Sequence, residues 1–447
     1  MRLLVKGRPT RVALAKLGGY RAIMARFLFA TWEGGGHVQP MLLVARGLME
    51  QGHSALAISD ACNASDASAL GVPFRPWPTA PSRSDRLPES DPLKDWLATN
   101  PQEVIQGLLD GMILGPAGRF AADTVAAIDA FEPDVIVVHE LMFGVMAAAE
   151  ARGVKLAIFA SNVWSLPTLD GHPPFGAGIA PAQTDDMRDF YRRVQKATRC
   201  AYQEALPAYN AMRAELGLAP LADLFDQLNA ADRILLATSR AFDFDLNLPE
   251  PYRHVGPYFE DPPWTEQWNS PWPADDARPL VLVSFSTMYQ GQETALRRTI
   301  EALGALPVRG VVTLGPVLSP ADFPAPDNVV VTGRAPHAPI LPLASAVVTH
   351  AGHASALRPL MAGAPVVAMP FGRDQPDNAA RITERGAGLR LNADASVEEI
   401  AAAVGRVIAE PGFRTAAGAL GARIVADCEA RSAERELVEL AAEGAAP

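Results

Sequence analysis

The stretch Val348-Thr349-His350-Ala351-Gly352-His353-Ala354-Ser355-Ala356-Leu357, and its continuation Gly363-Ala364-Pro365-Val366-Val367-Ala368-Met369-Pro370-Phe371-Gly372-Arg373-Asp374-Gln375 to Asn378, decides the fold. An apolar run ends at His350 and reads as a buried strand. Small residues then turn the chain, and a helix runs from about Ala354 to Ala362. A second apolar run, Val366 to Met369, is another strand, closed by Pro370. Two buried strands joined through a helix belong to a parallel sheet. The helix start is chemically useful. Its free N–H groups, with Ser355 and His350, form a ready site for a diphosphate. Asp374-Gln375 follows the second strand, and a carboxylate beside an amide offers acceptors and donors to sugar hydroxyls. Zinc held by His350 and His353 fails on spacing, since Gly352 lies between them and no third ligand is near.

The same rhythm extends in both directions. Upstream, Leu280–Phe285, Gly310–Leu314, Val329–Val331 and Ala346–Val348 alternate with helical patterns. Further upstream, Phe27–Ala30, Ala55–Ile58, Val135–Val138, Leu156–Phe159 and Ile234–Ala237 do so again. The two series are separated by a Pro/Trp/Asp-rich stretch with little periodicity, Glu260 to Arg278. The expectation is an α/β protein of two doubly wound, Rossmann-like domains facing a central cleft. Their boundaries read as 24–255 for the first domain, 256–278 for the linker and 279–422 for the second domain, with a last helical segment, 423–447. Residues 1–23 carry basic but no acidic side chains; with Met24 as an alternative start, they are expected to form a poorly ordered extension.

Composition narrows the function. The 447 residues hold 39 Lys+Arg against 50 Asp+Glu, a formal charge of −11, which disfavours general binding to a nucleic-acid backbone. Three scattered cysteines, Cys62, Cys200 and Cys428, give neither a disulfide framework nor a metal knuckle, so cytoplasm is the expected location. No stretch reads as a membrane-spanning helix. Trp77 to Asp123 and Asn162 to Leu218 lack a strand rhythm and are rich in Pro, Trp, Met and Phe. They either wall a pocket for an apolar ligand or pack as long loops.

The first strand runs into Thr31-Trp32-Glu33-Gly34-Gly35-Gly36-His37-Val38-Gln39-Pro40. The dinucleotide pattern GxGxxG is absent, so the glycines are read as letting a substrate approach the backbone. His37 falls beside a helix N-terminus, whose dipole disfavours imidazolium and keeps the ring neutral, as a general base must be. A carboxylate at the same sheet edge would steady the imidazolium that forms. Glu140, just past the strand Val135–Val138, is the candidate.

These motifs resemble those of a known family. THAGHASALRPLMAGAPVVAMPFGRDQPDNAARITERGAGLRL is similar to the donor-binding signature of family 1 glycosyltransferases, which include the UDP-glycosyltransferases and the bacterial macrolide glycosyltransferases. GGGHVQP resembles their GHVNP-type acceptor-side motif, and GRAPHAPILPLASAVVTHAG and YRHVGP resemble the flanking segments. The resemblance implies the GT-B fold, with acceptor in the first domain, nucleotide sugar in the second and the last helix crossing back, Arg423 to Glu439 being the candidate. It implies an inverting hexosyltransferase that needs neither metal nor cofactor. His37 matches the base, and Glu140 its acidic partner, usually Asp. His350, Gly352, His353, Ala354 and Ser355 match the diphosphate turn, with Ser286 and Thr287 as further hydroxyls. Asp374 and Gln375 match the sugar-holding pair, and Arg334 and Ala335 the base-binding segment. Arg358 departs from the family, standing where many members have a ribose-binding Glu; an Arg cannot accept those hydrogens. The donor is therefore left open between UDP-glucose and a dTDP-deoxysugar. Trp32, Trp96, Met142, Phe143 and Trp164 are the candidates for the wall around a small apolar, hydroxyl-bearing natural product. No nucleic acid and no stable membrane insertion is expected, and the chain is expected to be a monomer or weak homodimer. An epimerase or an inactive helper of a partner glycosyltransferase would use the same scaffold.

Overall fold

A computed structural model describes residues 13–17, 20–260, 268–285, 289–315 and 317–443. The chain opens with an antiparallel hairpin, β1 (Ala13–Leu17) and β2 (Tyr20–Met24), in the register Ala13↔Met24 to Leu17↔Tyr20. The two strands pair with each other and join neither large sheet. The rest of 1–23 lies outside the described residues.

The first domain holds a seven-stranded parallel sheet. Its strands are β3 (Arg26–Ala30), β4 (Ser54–Ser59), β5 (Phe74–Pro76), β6 (Val135–His139), β7 (Lys155–Ala160), β8 (Arg233–Leu236) and β9 (Tyr252–His254), in the order β5-β4-β3-β6-β7-β8-β9. The central strands are buried on both faces, which is why Phe27, Leu28, Phe29 and Val135 to Val138 read as unbroken apolar runs. The second domain holds six parallel strands, β10 (Leu280–Ser284), β11 (Arg309–Thr313), β12 (Val329–Thr332), β13 (Ala344–Thr349), β14 (Val366–Ala368) and β15 (Gly388–Arg390), in the order β12-β11-β10-β13-β14-β15.

In each sheet the strand order reverses once, between β3 and β6 and between β10 and β13. At such a point the connections leave the carboxyl ends on opposite faces, and a crevice opens there. The loops following β3 and β6 carry Trp32 to His37 and Glu140. The loops following β10 and β13 carry Phe285 and His350 to Gly352. The fold thus gathers these positions without any special local device.

The last helix, Ser432–Ala442, leaves the second domain and returns to the first. Its Ala433, Leu437, Leu440 and Ala441 are buried in one apolar cluster with Met41, Val44 and Leu48 of the helix Val38–Glu50. Four apolar side chains at helical spacing contribute on the order of several kcal/mol to joining the lobes. No helix among the described residues is long and apolar enough to cross a membrane.

Candidate active site

A cavity of about 880 Å³ lies between the two sheets, lined from one side by Trp32, His37 and Glu140 and from the other by His350, Ser355 and Asp374. The lobes are bridged around it. Arg373, in a left-handed conformation at φ 59°, donates to Asp95 Oδ2 at 2.6 Å and Oδ1 at 2.9 Å across the cleft. Asp377 accepts from the Gly176 and Gly178 N–H groups at 2.7 and 2.9 Å.

His37 is the N-cap residue of the helix Val38–Glu50, and its carbonyl accepts from Ser161 Oγ at 3.0 Å. Its ring packs edge-on against Trp32 at 5.2 Å and lies over His139 at 4.3 Å, tilted by 30°. Gly34 makes this possible: a Cβ there would stand 2.5 Å from His37 Nδ1. Burial, aided by the nearby Arg373 charge, lowers the His37 pKa to about 4. The ring is therefore the free base at neutral pH, as its position at a helix N-terminus also favours. Nδ1 is buried with no hydrogen-bond partner.

Glu140 does not meet His37 in the expected hydrogen bond. Its Oε2 lies 3.3 Å from His139 Nε2, while Oε1 accepts from Ser165 Oγ at 3.2 Å. The cause is the turn that follows β6, in which Met142 N–H returns to the His139 carbonyl at 3.0 Å. The turn folds Glu140 back against its own neighbour. Burial raises the Glu140 carboxyl to about 8, and the charge of Asp374 across the cleft pushes the same way.

On the donor side, the helix His353–Met361 begins at Gly352, which has no side chain to cap it; Asp374 takes the first N–H, and Ala354 and Ser355 line the cavity. A Cβ on Gly352 would come within 2.6 Å of His350 Nε2, so this position also lets an imidazole lie on the turn. Burial chiefly lowers His350 to about 4. Ala354, Ser355 and Arg358 line the same wall. Asp374 Oδ2 accepts from Asn378 Nδ2 at 2.8 Å and from His353 N–H at 3.2 Å. Gln375 is spent on protein: its Oε1 takes Phe371 N–H and its Nε2 donates to Gln290, both at 2.8 Å.

Several expected residues stand elsewhere. The His353 ring points away from the turn to Thr238 Oγ1 of the other lobe, 2.9 Å off, and packs near Phe259 at 5.7 Å. Burial holds it at about 3. Met142 and Phe143 are core residues; Phe143 begins the helix Phe143–Arg152 and packs on Tyr202, Tyr209 and Phe225, outside the cavity wall. Arg334 is exposed and Ala335 packs into the cluster around Ile340 and Leu341; His337 reaches the cavity in their place. Ser286 and Thr287 lie outside the described residues. Trp32, Trp96 and Trp164 do line the cavity, and residues of the two irregular regions, among them Ile105, Leu108 and Leu166, complete its apolar side. His139, Asp95 and Arg373 were missed as site residues. Among the described residues no group of three or more His, Cys, Asp or Glu is placed to hold a metal ion.

Two facing doubly wound domains, a shared cleft and a returning last helix define the GT-B class. Residues 297–440 match the family described as Erythromycin biosynthesis protein CIII-like, C-terminal domain. The chain is 29% identical to 4'-demethylrebeccamycin synthase of Lentzea aerocolonigenes, over 93% of this chain and 98% of that protein. It is 28% identical to demethyllactenocin mycarosyltransferase of Streptomyces fradiae, over 88% and 81%. Among solved structures, the calicheamicin glycosyltransferase CalG4 superposes with a TM-score of 0.74 at 20% identity, covering 95% of this chain and all 100% of that one. The fold is GT-B, and the sequence is similar to glycosyltransferases of natural-product biosynthesis.

Proposed function

We propose that this protein transfers a hexose from a nucleoside-diphosphate sugar to a hydroxyl of a small, largely apolar natural product, with inversion and with His37 as general base. The observation that carries the reading is one cavity with two chemically distinct ends. At one end stands a neutral imidazole; at the other, a helix start whose Ala354 and Ser355 line the cavity beside His350.

The acceptor lies against Trp32, Trp96 and the apolar side chains of the two insertions. The donor diphosphate lies on the N–H groups of Ala354 and Ser355, and Asp374 accepts from sugar hydroxyls. His37 takes the proton of the acceptor hydroxyl as its oxygen attacks the anomeric carbon. The bond from that carbon to the diphosphate oxygen breaks, and the helix start meets the charge that gathers on the leaving group. Attack from the face opposite the leaving group converts an α-linked donor into a β-glycoside. No step calls for a metal or cofactor. Arg358, one turn into the donor helix, donates rather than accepts, so it suits a phosphate or a base carbonyl better than ribose hydroxyls. The likeness to 4'-demethylrebeccamycin synthase and demethyllactenocin mycarosyltransferase supports a natural-product acceptor.

The test is incubation with UDP-glucose and dTDP-linked sugars, each with hydroxylated polyketide and polyphenol acceptors, followed by NMR of the products. A β-glycoside formed only when both substrates are present is the expected result. Donor consumed to a free epimer without acceptor, or no turnover with any pair until a partner protein is added, would contradict it. Titration of UDP against dTDP separates the two nucleotides.

A further inference from the structure

We propose that Asn162 selects the acceptor: its carboxamide binds a second oxygen that the acceptor carries beside the hydroxyl that reacts. The inference deepens the transferase reading and rests on the acceptor hydroxyl lying at His37.

Asn162 is placed by β7. That strand pairs with β6 in the register His139↔Phe159, so the loops that follow the two strands leave the sheet edge side by side. Ser161 comes first in the loop after β7 and donates to the His37 carbonyl at 3.0 Å, the contact that anchors the base. Asn162 is the next residue, and consecutive Cα atoms are about 3.8 Å apart. It therefore stands next to the anchor of the base, on the cavity wall that also holds Glu140 and Trp164.

Other polar side chains of this wall are spent on protein. Ser161 holds the His37 carbonyl, Ser165 donates to Glu140 Oε1 at 3.2 Å, and Thr198 Oγ1 donates to the Val194 carbonyl at 3.2 Å. Asn100 caps the helix Pro101–Leu108 by accepting from Glu103 N–H. Asn162 differs. It lines the cavity with 7% of its surface exposed, and its Oδ1 is buried with no hydrogen-bond partner. An amide shut away without a partner is unfavourable for folding, so the fold does not account for it. A ligand oxygen does. The carboxamide carries both a carbonyl acceptor and an N–H₂ donor, and a turn of the side chain presents either end to the cavity. A hydroxyl donates to the one or accepts from the other, whereas a C–H in its place does neither. An acceptor with two adjacent hydroxyls thus meets both groups at once, one oxygen at the imidazole and its neighbour at the amide. That pairing also fixes which of several hydroxyls receives the sugar.

Two matched probes test this without turnover: naphthalene-2,3-diol, with adjacent hydroxyls, and 2-naphthol, with one. Their affinities are measured by isothermal titration with UDP and, separately, dTDP present. Wild type is expected to bind the diol about tenfold more tightly, the worth of one buried hydrogen bond. Asn162→Leu has nearly the same shape and no hydrogen-bonding group. It is expected to bind the two probes alike, by losing affinity for the diol while keeping that for 2-naphthol. Should Asn162→Leu not fold, the smaller Asn162→Ala is read in the same way. Equal affinity of wild type for the two probes, or a preference for the diol that persists in the variant, would overturn the proposal. So would an equal loss for both probes, which is what a purely structural amide would give. Transfer of sugar to the diol is followed separately: a probe that binds and is never glycosylated defeats the transferase reading, while the affinity ratio still decides the role of Asn162.

Discussion

Gly34→Ala is expected to disable the base while leaving the fold in place. The added Cβ would stand 2.5 Å from His37 Nδ1 and 2.9 Å from Trp32 Cζ3, whereas ordinary contact begins at 3.4 Å. His37 must therefore move by about 0.9 Å, the difference between 3.4 and 2.5 Å. Its backbone cannot follow, because the carbonyl is held by Ser161 and the next residue starts a helix. The ring swings instead. A displacement of about 1 Å at a reacting group costs roughly 10²-fold in rate. Gly36→Ala is the matched control: it adds the same methyl to the same turn, with nothing within 4 Å. The assay is kcat at saturating donor and acceptor, with nucleotide affinity and Tm measured alongside. Gly34→Ala is expected to lose about two orders of magnitude in kcat with unchanged nucleotide affinity, and Gly36→Ala to stay near wild type. Wild-type kcat in Gly34→Ala, or equal losses in both variants, would refute the reasoning.

Gly352→Ala is the donor-side counterpart: its Cβ would press on His350 Nε2 at 2.6 Å, and isothermal titration is expected to show weakened nucleoside diphosphate binding with the acceptor site intact. Asp95→Asn removes the charge that Arg373 grips from across the cleft. The pair is partly exposed, so unfolding by urea is expected to show a loss of only about 1–2 kcal/mol, and donor KM should rise because Asp374 follows Arg373 directly. Glu140→Gln is expected to stabilise the protein at pH 8. The native carboxyl holds its proton to about 8 while the unfolded one releases it near its ordinary 4.5, so the native state binds more protons across that window. Stability from this group therefore falls as pH rises through the window, and the gain from Gln should shrink toward zero at its acid end, read by denaturation at several pH values.

Much of the fold was legible because the central strands are buried on both faces. Five apolar runs in the first domain and five in the second coincide with observed strands. Within the two large sheets the strands that escaped, β5, β9 and β15, are three-residue edge segments, Phe-Arg-Pro, Tyr-Arg-His and Gly-Leu-Arg. At an edge one side is solvated, so no apolar run marks them. At the site, the turn at His37 and the helix start after Gly352 follow from strand ends and glycines. Side-chain direction was harder. His353 sits with Leu357 and Leu360 on one buried face of its helix, and that three-to-four-residue spacing was the available signal that its ring turns inward. Phe143 and Met146 share the same spacing on their own helix and belong to the core for the same reason. The bridge from Asp95 to Arg373 joins residues 278 positions apart, and no local pattern announces it. His139 carried a weak mark: a polar residue closing an otherwise apolar strand, next to the acid.

The account turns on His37 as the proton acceptor at the meeting point of the two lobes. Single-turnover measurement of His37→Ala, with nucleotide sugar and acceptor both saturating, tests this most directly. A rate lowered by about 10²–10⁴, with nucleotide binding unaltered, is the predicted result. Undiminished transfer by that variant would contradict it.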